Sequence, residues 1–361
     1  MSHLSGSHQP ASVVRATTEQ STIYNNMAVL IDGSAASGKA FDTMLYFART
    51  FNGRGAQDRV SVLHAFDSHA DAAKPCHLQS QRLVKEYETN LIRARRTYDA
   101  EGPQRLSSQV LGVDYAPGIN SGIKSNDDVD VAHLTFARTP STTEKAPPLV
   151  AALVMKMRER IHPNYIFMGS YGVGGRPVGV LGTTTDYMIR LAPCSVFVIK
   201  AGRRVPSPTT SVSYVVAMDG GEMCFSALAE LLEIINAIDT VKILTVREGH
   251  ANDEQDKKTQ KKALDMCANS PRRPAEFSAV TKQIHEGEGS VGNAIVAASD
   301  EYDADFLVLG TCNLDVEHEN RTALQNRLGS VSLYSSQKCK CHAIVVKSKV
   351  HMPTTSARQA T

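Results

Sequence analysis

At 361 residues, 42% of them apolar and 21% charged, the chain has the make-up of a soluble globular protein long enough for two domains of ordinary size. A net charge of +2, no Trp and few other aromatics give no electrostatic or stacking case for nucleic acid, and no apolar run is long enough to span a membrane. Seven scattered cysteines, an odd number in a chain this long, point to reduced thiols and a cytoplasmic setting.

Residues 1–26 are rich in Ser, Thr and His, lack an apolar signal-peptide core, and read as a disordered tail. An apolar strand is expected over 28–32 and a helix over 37–49. A strand over 60–65, a long amphipathic helix over 79–98 and a short strand over 106–113 follow. The stretch of about 114–148, with Gly, Pro, Asp, Ser and Thr throughout, reads as an insertion, either a disordered surface loop or a partner-binding flap. A helix over 151–160 then leads to the strand Tyr165-Ile166-Phe167-Met168, a glycine-rich turn, another helix and a strand over 195–200. Residues 201–211, with two prolines and two arginines and no apolar period, read as a linker.

The second half repeats this grammar. Strands are expected over 214–219, 241–246, 275–281, 306–310 and 343–347, with helices over 225–238, 255–268 and 292–301 and a short one after Gly329-Ser330. Residues 349–361 form a second tail. Direct matches support duplication: Asp32-Gly33 with Asp219-Gly220, Met168-Gly169-Ser170 with Leu309-Gly310-Thr311, and Cys194-x-Val196-x-Val198-x-Lys200 with Cys341-x-Ala343-x-Val345-x-Lys347. Strands alternating with helices imply parallel sheets with right-handed crossovers. The expected architecture is two doubly wound, parallel-sheet α/β domains in tandem, over 27–200 and 212–348.

Gly169-Ser170-Tyr171-Gly172, nine residues, and then Gly182-Thr183 form a glycine-rich turn between the end of a strand and the start of a helix. Such a turn lets backbone approach a phosphate and offers N–H groups at a helix start. Gly33 to Lys39 also satisfies G-x4-G-K, nearly a P-loop. Ala40 follows where magnesium binding needs Ser or Thr, and the second half keeps only D-G-x3-S/C-x2-A. Lys39 is therefore read as a decoy, and a P-loop NTPase as a minor rival.

With these motifs the chain resembles the universal stress protein family, as a tandem member. The resemblance covers both halves, and its nucleotide pattern G-x2-G-x9-G-S/T is met by Gly169, Gly172, Gly182 and Thr183. It implies an adenine-nucleotide-binding fold, with ATP, with or without Mg2+, held at the phosphates by Gly169, Ser170, Gly172, Gly182, Thr183 and Thr184. It further implies that Asp32 and Met168 lie near the nucleoside and that Ala65, in Leu63-His64-Ala65, meets adenine through its backbone. Arg176 adds positive charge nearby. In the second half Asn313 replaces the second glycine, the spacing to Gly329 is longer, and Asp315, Glu317 and Glu319 intervene. The first half is therefore expected to bind nucleotide and the second to act as its paired partner, with a homodimer also open.

Other candidates carry less. Cys339-Lys340-Cys341-His342 fits no structural zinc spacing, so no metal site is expected. His64 reads as a core-edge residue, Tyr171 as a loop cover, and the basic helix around Arg93, Arg95 and Arg96 as a solvated face. No nucleophile–base pair or carboxylate dyad is visible, so no catalytic residue is assigned and at most slow ATP hydrolysis or autophosphorylation is expected. The functional expectation is an ATP-binding stress-response regulator, with a nucleotide-independent interaction or chaperone-like module as the rival class.

Overall fold

The computed structural model describes residues 26–51, 59–66, 76–101, 107–114, 124–126, 129–135, 161–172, 180–192, 194–249, 253–285, 289–311 and 329–347. The first half contains β1 (Asn26–Ile31), α1 (Ala35–Phe51), β2 (Arg59–Phe66), α2 (Cys76–Glu101), β3 (Ser107–Asp114), β4 (Lys124–Asn126), β5 (Val129–Thr135), β6 (Tyr165–Gly169), α3 (Thr183–Leu191) and β7 (Ser195–Ile199). The second contains β8 (Ser213–Met218), α4 (Glu222–Ile234), β9 (Thr240–Glu248), α5 (Asp253–Asn269), β10 (Glu276–Ile284), α6 (Val291–Glu301), β11 (Phe306–Thr311), α7 (Ser330–Lys338) and β12 (His342–Lys347).

All twelve strands join one sheet, in the order β10-β9-β8-β11-β12-β7-β6-β1-β2-β3-β5-β4. Within each half the main strands pair in parallel. The halves meet where β12 runs antiparallel to β7, with Ala343 opposite Val198, Ile344 opposite Phe197 and Val345 opposite Val196. Ala343 and Val345 are the repeat counterparts of Val196 and Val198, so a local two-fold axis passes through the Phe197–Ile344 pair. The side chains obey the same symmetry. Lys200 Nζ donates to the carbonyls of Ser336 (2.9 Å) and Gln337 (3.3 Å) at the end of α7, and Lys347 Nζ donates to Arg190 O (3.5 Å) at the end of α3.

Both faces of the sheet are covered. On one, Phe47 of α1 packs against Phe167, Phe197 and Phe306, at centroid distances of 5.9, 5.0 and 5.7 Å, so one aromatic cluster spans both halves. On the other, Met188 and Ile189 of α3 are buried with Val196, Val198, Ala343 and Val345. Burial on both faces explains why these strands read as continuous apolar runs.

The repeated D-G-x3-S/C-x2-A has a structural reason at each position. Gly33 and Gly220 take φ of +84° and +83°, a conformation that glycine accepts without strain. Ser37 Oγ donates to Ser34 O at 3.0 Å and Cys224 Sγ to Gly221 O at 2.9 Å, closing the first turn of each helix. Ala40 and Ala227 are fully buried against the sheet.

Three expectations need adjusting. The stretch read as an insertion contains strands: β5 pairs in parallel with β3, and β4 turns back on β5. Val129, Val131 and Thr135 favour extended structure, but the Gly, Asn and Asp around them dominate the composition. Asn26, assigned to the tail, opens β1 and donates its N–H to Asn164 Oδ1 at 2.8 Å. The linker is pinned to the second half, where Arg204 pairs with Asp305 at 2.6 Å and its carbonyl meets His342 Nε2 at 2.9 Å. The helix expected over 151–160, and both tails apart from Asn26, lie outside the described residues.

Candidate functional site

From β1 the chain moves outward through β2 and β3, then returns to add β6 and β7 on the opposite side. The C-terminal ends of β1 and β6 therefore flank a topological switch point, the usual ligand crevice of open α/β sheets. Asp32 leaves β1 there and Gly169-Ser170 leave β6.

The turn after β1 is closed by its own side chains. Asp32 Oδ1 accepts from Ser34 N at 3.0 Å, and Ser34 Oγ accepts from Ser37 N at 3.1 Å, capping α1. Ser34 Oγ also donates to Tyr171 O at 3.4 Å, tying this cap to the glycine turn. The approach is close. A Cβ on Gly169 would lie 2.8 Å from Ala36 Cβ and 2.9 Å from Ser37 N, and one on Gly172 would run into Asp32 Oδ2. Gly169, Gly172, Asp32 and the start of α1 are thus brought together.

On the other side of the turn, Gly182 N donates to Ser170 O and Ser170 N to Ile199 O, both at 2.8 Å. Ser170 is also buried. These two amides are committed to the fold, which leaves Ser170 and Gly182 to shape the turn rather than to receive an anion through N–H. The first helical bond of α3 runs from Asp186 N to Gly182 O, and Gly182 makes no side-chain cap bond. The amides of Thr183 and Thr184 stand at the first two helical positions, where no intrahelical acceptor exists. Thr183 is exposed and Thr184 half-buried. Helix-start amides and the positive end of the helix dipole suit a phosphate there.

Met168 sits in β6 between Leu30 of β1 and Val198 of β7, and its side chain is buried in the core. Ala65 lies in β2, one residue beyond the His64–Ile31 pair and opposite Val113 of β3. His64 Nδ1 meets Ile31 O at 2.8 Å; a carbonyl only accepts, so the proton sits on Nδ1. Burial holds this imidazole below its ordinary pKa and therefore neutral. Arg176 lies outside the described residues. Lys39 extends its Nζ to Arg203 O of the linker at 2.5 Å, an orientation unlike that of a P-loop lysine.

Thr185 is the residue that sequence reasoning missed. Its buried hydroxyl donates to Gly169 O at 2.8 Å, fixing the first glycine against α3. The signal lay in the repeat, since Ser332, at the matching position, donates to Gly310 O at 3.1 Å. The second half copies other features too: a Cβ on Gly310 would lie 2.6 Å from Met223 O. Asn313, Asp315, Glu317 and Glu319 lie outside the described residues. Among the described residues no group of three or more His, Cys, Asp or Glu could hold a metal ion, and no helix is long and apolar enough to cross a membrane.

Residues 214–347 match the model of the Universal stress protein family. No curated protein matches the chain. The chain is similar in fold to a universal stress protein from Archaeoglobus fulgidus, with a TM-score of 0.55 and 15% identity over 89% of this chain and 95% of that one. It is also similar to a universal stress protein family protein from Arabidopsis thaliana with AMP bound, with a TM-score of 0.28 and 17% identity over 38% of this chain and 91% of that one. A universal stress protein in complex with cAMP gives a TM-score of 0.27 and 19% identity over 38% and 98%. The family match falls on the half with the altered glycine motif, so the fold pattern and the glycine motif are separable features of this chain.

Proposed function

We propose that this chain, whose residues 214–347 match the Universal stress protein family model and whose first half repeats the same strand order, is a stress-response regulator that binds ATP in the first half only. The adenosine moiety lies over Asp32 and the ends of β1 and β2, with the backbone of Ala65 and Met168 beside it. The phosphates meet the start of α3 at Thr183 and Thr184, behind Gly169 and Gly172. The observation that carries this reading is the N-terminus of α3, where Gly182 supplies no side-chain cap, beside a turn whose Gly169 packs directly on the backbone of α1. Main-chain amides hold phosphate without lysines, so the diversion of Lys39 to the linker is compatible with an anion site. No nucleophile–base pair flanks the turn among the described residues, and the reading is occupancy that biases a conformation rather than turnover.

Titration of the full chain with ATP tests the assignment. One nucleotide per chain is expected. Gly182→Val, whose Cβ would approach Tyr171 Cα to 3.2 Å, should abolish binding, while Gly329→Val, with nothing within 4 Å of its Cβ, should leave it intact. Two nucleotides per chain would sink the asymmetry. A chain that carries no adenine nucleotide when purified and ignores added ATP would favour the interaction module.

A further inference from the structure

The helix assigned to the phosphates is held in part by the opposite half of the chain. Asp186 lies in the first turn of α3, where its carboxylate would repel a phosphate. Arg190 engages it through Nε at 3.0 Å and Nη2 at 3.3 Å, and Gln337 of α7 donates to Asp186 Oδ1 at 3.3 Å. At the far end of α3, Lys347 places its buried Nζ 3.5 Å from Arg190 O, and its backbone N donates to Ser195 Oγ at 3.4 Å. The mirror contacts exist: Lys200 caps α7, and its N donates to His342 Nδ1 at 3.0 Å. Each half thus supports the C-terminus of the other's last helix. A cation at a helix C-terminus complements the dipole whose positive end faces the anion.

We propose that Gln337 and Lys347, in the half that keeps no intact glycine motif, are positioning residues for the phosphate subsite of the first half. Gln337 draws the Asp186 carboxylate away from the incoming phosphate, and Lys347 fixes the axis and charge balance of α3. The second half is then an integral part of the first half's site. This inference rests on the ATP reading above, and the two fail differently.

The test compares ATP with adenosine, which lacks the phosphates, on the full chain. Gln337→Leu and Lys347→Met should each weaken ATP about two- to fivefold, the range expected of one helix-end charge or polar contact, and leave adenosine affinity unchanged. Lys347→Arg, which keeps the cation, should restore ATP affinity. Gln337 lies at the end of a short helix, so its variant should fold even if Lys347→Met melts early. Equal losses for ATP and adenosine would reduce both residues to structural support, and unchanged ATP affinity in Gln337→Leu would overturn the proposal outright. A wild-type chain that binds neither ligand would overturn the ATP reading itself.

Discussion

A single methyl group on Gly169 tests whether α1 and the glycine turn pack as described. The added Cβ would stand 2.8 Å from Ala36 Cβ, 2.9 Å from Ala36 C and 2.9 Å from Ser37 N, and two of these three neighbours are backbone. No rotamer change relieves such contacts, so the start of α1 must retreat from β6. Overpacking of this kind costs about 1–3 kcal/mol, and at roughly 2–4 °C per kcal/mol for a domain of this size the unfolding midpoint should fall by about 2–12 °C. The retreat also stretches the Ser34–Tyr171 contact and moves Asp32, so ATP affinity should drop with it. Gly310→Ala is the internal control. Its Cβ would lie 2.6 Å from Met223 O and 2.8 Å from Met223 C, a comparable clash in the other half. Thermal scans should show both variants destabilised, while calorimetric titration well below the transition should show ATP binding lost only in Gly169→Ala. An unchanged midpoint and affinity in Gly169→Ala would refute the close approach of α1 to β6.

Lys39→Ala removes the bond to Arg203 O and should cost about 0.5–1.5 kcal/mol in urea unfolding with no change in ATP affinity; lost binding would instead revive the P-loop reading. His342 accepts from Lys200 N through Nδ1 and meets Arg204 O through Nε2, and burial lowers its pKa to about 4. Because its folded value lies below the ordinary value of about 6.5, the unfolded chain binds the proton first. Up to about 3 kcal/mol of stability should then be lost as pH falls from about 6.5 towards 4. Urea midpoints across that window should show the slope in the wild type and a flatter one in His342→Gln.

Much of the fold was legible because both halves obey the same local rules. Apolar runs marked the central strands, and the repeated D-G turn and strand-end glycines reported real geometric needs at Gly33, Gly169 and Gly310. Less visible was whatever depends on residues far apart in sequence. Lys39 crosses to Arg203, and His342 bridges the linker and Lys200 just past β7; neither shares a local pattern with its partners. The strands β4 and β5 were hidden by composition, since the few β-forming residues there do not outweigh the surrounding Gly, Asn and Asp. At the candidate site, the motif showed which residues gather at the turn. It did not show that the amides of Ser170 and Gly182 are already bonded, because that depends on where β7 and α3 come to lie.

The antiparallel joint between β12 and β7 also removes concentration from the pairing of the halves. Two separate subunits meeting along such strands would obey mass action and part on dilution. Here the partner is tethered, and a short linker presents it at an effective concentration in the millimolar range. The joined strands lie inside the sheet, so another copy has no access to them. The pairing of the two halves in a protein of this build should therefore not depend on its concentration.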